Sequence, residues 1–136
     1  MTDVLGADRA VNRHDGPVVD QLRAAAPDGI DLFYDNVGGE QLEAALENLN
    51  PKGRVVICGA VGQASGPGNY RNLIHRELTM RGFTVTAHED LRDTVESEAG
   101  TVQSVHTIFT GIDRIPVAFA SMLSGGTTGR AIIAMD

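Results

Sequence analysis

Apolar positions along the chain fall into alternating helix-like and strand-like patterns. Thr2–Leu5 reads as the last turn of a helix closed by Gly6, because glycine takes positive φ freely just past a helix C-terminus. Ala7–Asn12 reads as a short strand. Pro17 sits where a first helical turn tolerates proline, and Val18, Val19, Leu22, Ala25 and Ala26 follow at helical spacing, giving a helix over Gly16–Ala26. Pro27-Asp28-Gly29 ends it. Ile30–Tyr34 is a nearly continuous apolar run, the signature of a strand buried on both faces. Leu42, Ala45, Leu46 and Leu49 mark one face of the next helix. Asn50–Gly53 is a turn, and Arg54–Cys58 a second buried strand.

The second half is less regular. Gly62–Asn69 is a loop. Tyr70–Glu77 predicts a short helix with Leu73 and Ile74 inward, and Leu78–Thr86 a strand. His88–Ala99 is a charged helix with a thin face of Leu91 and Val95. Val102–Phe109 fits either element. Asp113 is placed to cap a last helix striped by Ile115, Phe119, Met122 and Leu123, which Gly125-Gly126 ends, and Arg130–Met135 is a closing strand. Helices alternating with apolar strands imply an α/β fold with parallel strands joined by crossovers.

Composition narrows the class. The 136 residues fit one domain with a modest core. Aromatic residues make up only 4%, so Val, Ile, Leu and Ala must build that core. The net charge is −7 and the basic residues are scattered, which argues against a nucleic-acid surface. Cys58 is the lone cysteine, in keeping with a reducing compartment. No apolar run suits a signal peptide or a membrane span, so the expectation is a soluble, cytoplasmic domain.

Candidate chemistry gathers at two predicted strand ends. Asp35-Asn36-Val37-Gly38-Gly39 follows the first buried strand, and ligands of open α/β sheets bind outside such carboxyl ends. The Asn36 amide both donates and accepts, which suits a ribose, a phosphate or a carboxamide. The same residues also suit a plain capped turn. Cys58-Gly59-Ala60-Val61-Gly62 ends the next strand with small residues that leave room for a flat ring or a pyrophosphate; a structural turn is the other reading. No sequence partner activates Cys58 as a nucleophile. His14, His75, His88 and His106 form no zinc-ligand spacing, so no metal is expected. Tyr70 and His75 fall near a loop expected to overhang the strand ends, and are the candidates for proton transfer. Gly125–Gly129 and the Glu89-Asp90 pair are read as an ordinary turn and a solvated helix face.

Asp28–Glu40 (DGIDLFYDNVGGE), Lys52–Ala60 (KGRVVICGA), Glu77–Val85 (ELTMRGFTV) and the stretch from Pro116 through the GGTTGR turn resemble the zinc-independent medium-chain dehydrogenase/reductases of the leukotriene B4 dehydrogenase and prostaglandin reductase type. The resemblance implies NADP-dependent reduction of the carbon–carbon double bond of enones and enals. It implies that Asn36 binds the cofactor and that Cys58, Gly59, Ala60, Val61 and Gly62, on to Ala64, wrap the nicotinamide-side ribose and phosphate. Phe83, Thr84 and Val85 would then line the nicotinamide edge, with Tyr70 near the substrate mouth. Thr127 stands where members often carry a cofactor-touching asparagine, Arg13 where many carry a tyrosine, and His75 where some carry a tyrosine. Glu98–Val105 is shorter than the family's corresponding stretch.

The resemblance also implies what comes before this stretch in the family: a GroES-like catalytic domain, a first strand, a glycine-rich phosphate loop and the NADP-selecting second strand. The expected fold is thus a partial Rossmann-like parallel sheet flanked by helices: a single truncated dinucleotide-binding domain, 1–136, that retains the family's C-terminal helix and strand. Such a portion is expected to be weak or inactive alone. A strand left without its neighbours presents an open edge, which predicts a homodimer through exposed strand edges. The competing expectation is a non-catalytic α/β module that binds a protein partner or a nucleotide-like ligand.

Overall fold

The strand-like runs become two parallel sheets. The computed structural model describes residues 2–62, 66–98 and 104–135. It divides into two units, 1–96 and 97–136. Among the described residues no helix is long and apolar enough to cross a membrane.

In the first unit the elements run α1 (Thr2–Leu5), α2 (Val18–Ala25), β1 (Ile30–Asp35), α3 (Gly39–Asn48), β2 (Leu49–Ile57), α4 (Arg71–His75) and β3 (Thr79–Gly82), then a 3-10 segment (Val85–Leu91) leading into α5 (Arg92–Glu98). The strands form one parallel sheet in the order β1-β2-β3, with Tyr34 opposite Val56 and Val56 opposite Arg81. Helix α3 covers one face. Leu42, Leu46, Leu49 and Val55 are buried there, with Ile30, Phe33, Ile57, Leu73, Leu78 and Met80 packed around them. The period of two puts Phe33, Asp35, Val55 and Ile57 on that face and Leu32, Tyr34, Val56 and Cys58 on the other.

Hydrogen bonds from two asparagines, which hydrophobic patterning does not single out, fix the packing. Asn48, buried at the end of α3, donates to the carbonyls of Ala44 (2.8 Å) and Val19 (3.3 Å), and so ties α2 to α3. Asn50 donates to the Asp28 carbonyl and the Asp31 carboxylate, clamping the turn into β1. The predicted turn at Asn50–Gly53 is present as an irregularity within β2: pairing jumps from Ile30–Leu49 to Leu32–Arg54, and Lys52 takes φ 64°.

Several expectations are corrected. Ala7–Asn12 is not a strand. The Asn12 backbone N–H donates to the Gln21 side chain, and Gln21 Nε2 donates to the Asn12 carbonyl, so these groups find a side chain and not a ladder. The Ile30–Asp35 strand is not buried on both faces: it is a sheet edge, with Leu32 and Tyr34 just over half exposed. Ile74 is 69% exposed while Leu73 joins the core, because five residues of helix present only a narrow inward face. The Leu78–Thr86 strand stops at Gly82, and the chain turns into the 3-10 segment with a non-helical kink at His88.

In the second unit β4 (His106–Thr110) pairs in parallel with β5 (Arg130–Ala134), and between them lie a 3-10 turn (Ile112–Arg114) and α6 (Ile115–Leu123). The ambiguous 102–109 stretch thus contributes a strand, while its first two residues fall outside the described ones. Asp113 makes no side-chain cap; it lies inside the 3-10 turn, and Arg114 takes the capping position. The striped residues Ile115, Phe119, Met122 and Leu123 are all exposed, and Ala118 is the buried residue of α6.

Candidate functional site

The carboxyl ends of β1 and β2 meet and are stitched together by main-chain bonds. The N–H groups of Cys58 and Gly59 donate to the Asp35 carbonyl (2.8 and 3.3 Å), Val61 N–H to the Asn36 carbonyl (3.2 Å) and Gly62 N–H to the Val37 carbonyl (2.8 Å). A Cβ on Gly59 would come within 3.1 Å of the Asn36 carbonyl oxygen, and one on Gly62 within 2.7 Å of the Val37 carbonyl oxygen. Glycine at these positions is therefore what lets the two loops close on one another.

Asp35 shapes the first loop. It is 1% exposed, and its Oδ1 accepts from the N–H groups of Val37 and Gly38 (both 2.9 Å). This occupies the approach to the N-terminus of α3 with a carboxylate, so a phosphate would meet like charge there. Gly38, at φ 72° and ψ −158°, adopts a conformation reserved for glycine. The turn leaves Asn36 exposed at the rim.

The stitching changes what the shelf offers a nucleotide. The backbone N–H groups of Cys58, Gly59, Val61 and Gly62, expected to wrap a ribose and phosphate, are already bonded across the loop pair. Among the described residues, the donors outside this main-chain stitching at the strand ends are Ala60, Thr84 and Val85, alongside the Asn36 amide; Phe83 N–H donates to the Ile57 carbonyl (3.0 Å). Such a set fits a ribose hydroxyl or a carboxamide better than a pyrophosphate, which calls for several converging N–H groups.

Beside the shelf, on the sheet face away from α3, lies a cavity of about 630 Å³ lined by Tyr34, Cys58, Phe83, Val85, Leu91 and Val95, with His88, Glu89, Arg92 and Glu96 also contributing. The rings of Tyr34 and Phe83 are 6.1 Å apart and those of Phe83 and His88 6.0 Å, both pairs tilted. A hydrogen bond to the Cys58 thiol, with desolvation and the charge of the ionised thiol adding to it, holds the Tyr34 phenol above its ordinary value of 10.0.

The structure thus brings Asn36, Cys58, Gly59, Ala60, Val61, Gly62, Phe83, Thr84 and Val85 to one end of the first sheet. Ala64 lies outside the described residues. His75 is not brought to that end. Lys52 N–H donates to the Arg76 carbonyl (2.7 Å) and Arg76 Nη1 to the Leu49 carbonyl (2.5 Å), which places the end of α4 at the opposite, amino-terminal end of β2. Lys52 and Ile57 are five strand steps apart, roughly 16 Å. The intervening loop runs along α3, with Gly68 N–H and Asn69 Nδ2 bonded to Glu43, so Tyr70 is carried away from the strand ends and is exposed. Thr127 lies in the second unit, half-buried beside Thr128, whose N–H and carbonyl both bond the Thr107 hydroxyl. Sequence reasoning missed Tyr34. The signal was present in the alternation Leu32–Tyr34, which sets its side chain on the same face as Cys58.

Among the described residues, no group of three or more His, Cys, Asp or Glu is gathered to hold a metal ion.

Residues 1–99 match the protein family described as zinc-binding dehydrogenase. Dehydrogenase FUB6 of Fusarium oxysporum is 32% identical over 98% of this chain and 42% of its own length. NADP-dependent oxidoreductase RED1 of Cochliobolus heterostrophus is 31% identical over 98% and 42%, and prostaglandin reductase 1 of Mus musculus 33% identical over 95% and 44%. The chain spans less than half the length of these curated relatives. The crystal structure of CurA in complex with NADPH from Vibrio vulnificus superposes with a TM-score of 0.79 over 99% of this chain and 45% of that one, at 24% identity. It shares the mixed α/β fold with parallel sheets flanked by helices.

Proposed function

The chain belongs to the zinc-binding dehydrogenase family, and from that premise we propose that it is the C-terminal cofactor-domain portion of an NADP-dependent oxidoreductase that reduces the carbon–carbon double bond of enones and enals without zinc. In this reading residues 1–136 are one truncated dinucleotide-binding domain carrying the family's last helix and strand. The observation that supports it is the shelf where β1 and β2 end together, with the Asn36 amide exposed at its rim. NADPH, when bound, supplies the hydride. Asn36 holds a ribose hydroxyl or the carboxamide, Ala60 N–H supports it, and Phe83, Thr84 and Val85 offer an apolar wall with main-chain donors. Cys58, Val61 and Gly62 shape the shelf. Thr127 is included as a cofactor contact on the family resemblance alone. Tyr70, carried along α3 away from the strand ends, and His75, at the far end of β2, have no role at this shelf, so no proton-transfer residue is assigned.

Titrating NADPH into the chain by calorimetry tests the reading. Binding in the micromolar range that Asn36→Ala weakens about tenfold supports it, since one hydrogen bond to a polar ligand is worth roughly that much. No binding by a chain that melts cooperatively sinks it.

A second reading is a non-catalytic α/β module that binds a protein partner or a nucleotide-like ligand. It is favoured by the four strand-end N–H groups already spent on main-chain carbonyls. β1 is an edge of the described sheet, and from that edge we also propose a homodimer through strand edges in a soluble, cytoplasmic protein. A monomeric mass by sedimentation at micromolar concentration would rule that dimer out.

A further inference from the structure

The sequence holds two Asp-Gly pairs, Asp15-Gly16 and Asp28-Gly29, and no Asn-Gly pair. Glycine after an aspartate lets the main-chain nitrogen reach the side-chain carboxyl, since no Cβ stands in the way. The fold treats the two pairs differently. At the second, Gly29 N–H donates to the Ala26 carbonyl (3.0 Å), the Asp28 carbonyl accepts from Asn50 Nδ2 (3.1 Å), and a Cβ on Gly29 would run into the Asn50 amide. The peptide group joining that pair is therefore held at both its N–H and its C=O. At the first, Asp15 and Gly16 are exposed, and among the described residues neither the Gly16 N–H nor the Asp15 carbonyl has a hydrogen-bond partner. A Cβ on Gly16 would meet nothing within 4 Å, so there is room for a ring to close. What anchors this turn lies on either side of the reacting bond. Asp15 N–H donates to the Asn12 carbonyl (3.0 Å), and Gln21 Nε2 bridges the carbonyls of Asn12 and Gly16 (both 2.9 Å).

We propose that Asp15-Gly16 is a site of spontaneous isoaspartate formation, and that the fold protects Asp28-Gly29 from the same reaction. The Gly16 nitrogen gives up its proton to solvent and attacks the Asp15 side-chain carboxyl carbon. An N–C bond forms, the carboxyl C–O bond breaks, one water leaves, and a five-membered succinimide results. Water adding at the ring's main-chain carbonyl opens it to isoaspartate, so the net mass is unchanged and no group is oxidised or reduced. The product routes the backbone through the former side chain. It lengthens the chain by one methylene between Asn12 and Gly16, whose carbonyls Gln21 spans. The aged chain therefore loses the Gln21 bridge that ties this turn to α2.

Trypsin places the two pairs on separate peptides, His14–Arg23 and Ala24–Lys52. The chain is aged at neutral pH and digested, and isoaspartate on each peptide is measured by methyl transfer from labelled S-adenosylmethionine with a protein isoaspartyl methyltransferase. In the folded chain isoaspartate should accumulate at Asp15 about tenfold faster than at Asp28, because two hydrogen bonds must open first at Asp28. In urea the two rates should converge to within about twofold, since the fold no longer separates them. Asn50→Ala, in a variant with wild-type circular dichroism, should raise the Asp28 rate and leave the Asp15 rate unchanged. Asp15→Glu, whose longer side chain would need a six-membered ring, should remove the signal from the His14–Arg23 peptide. Three results overturn the proposal: equal rates in the folded chain, a difference that persists undiminished in urea, or a signal that Asp15→Glu leaves in place.

Discussion

The two faces of the β1-β2-β3 sheet come from the same three strands and meet opposite fates. On the α3 side, Leu46 is fully buried and Leu49 and Val55 are 1% exposed. On the other, Leu32 and Tyr34 stand 53% and 54% exposed, beside a cavity. The strands do not cause the difference, because apolar side chains alternate to both faces. What differs is the cover. Helix α3 follows β1 directly and carries Leu42, Ala45 and Leu46 at helical spacing, so a local crossover delivers a matching ridge. The segment from Val85 to Glu98 is broken by the kink at His88 and buries none of its side chains. A sheet face is buried where the neighbouring sequence supplies a continuous helix, and stays exposed where it supplies a broken one.

The sharpest way to break this comparison is a pair of leucine truncations. Leu46→Ala should cost about 3 kcal/mol, since it removes a fully buried side chain from a packed cluster that relaxes only partly. Leu32→Ala, on the same sheet but facing outward, should stay within about 0.5 kcal/mol. Urea unfolding midpoints at constant slope measure both. Equal losses would mean that the open face is covered in solution.

The next largest effect tests the junction between the faces, at the shelf. Asp35→Ala leaves the N–H groups of Val37 and Gly38 without their acceptor and should cost about 2 kcal/mol. Asp35→Asn keeps one carbonyl oxygen for those donors and should recover roughly half of that loss. Because the same turn presents Asn36, nucleotide affinity should follow the order wild type, Asn, Ala. An Asp35→Ala variant that unfolds at the wild-type urea concentration would show that the two bonds do not organise the loop.

Residues whose partners lie close in sequence are legible from the chain alone. The α3 stripe, the β1 and β2 runs and the glycine-bearing strand ends are all set by local periodicity and turn chemistry. What the sequence hides depends on partners that periodicity does not name. Ala7–Asn12 has the look of a strand, yet its backbone finds the Gln21 amide. A glycine-rich loop precedes His75 and suggests a place near the strand ends, whereas two bonds at Arg76 anchor that helix at the other end of β2. Strand-end glycines do permit close approach, but the approach is between two loops of this chain. Asn48 shows the same limit, since a buried amide joining α2 to α3 leaves no periodic trace.

The smallest predicted effect probes the floor of the open face. Hydrogen bonding with Cys58, with desolvation and the charge of the ionised thiol adding to it, keeps the phenol protonated above its ordinary value of 10.0. The folded state therefore holds this proton more tightly than the unfolded chain does. Its contribution to stability is complete below pH 10.0 and disappears as pH rises through the raised folded value. Cys58→Ala removes the leading cause and should bring the Tyr34 titration down toward 10.0, with little change in stability at neutral pH. Tyrosinate absorbance followed against pH in a Tyr70→Phe background isolates Tyr34, the other of the two tyrosines. A titration curve that Cys58→Ala leaves in place would mean that the thiol and the phenol do not meet. The contrast between a closed and an open face would then rest on the helices alone.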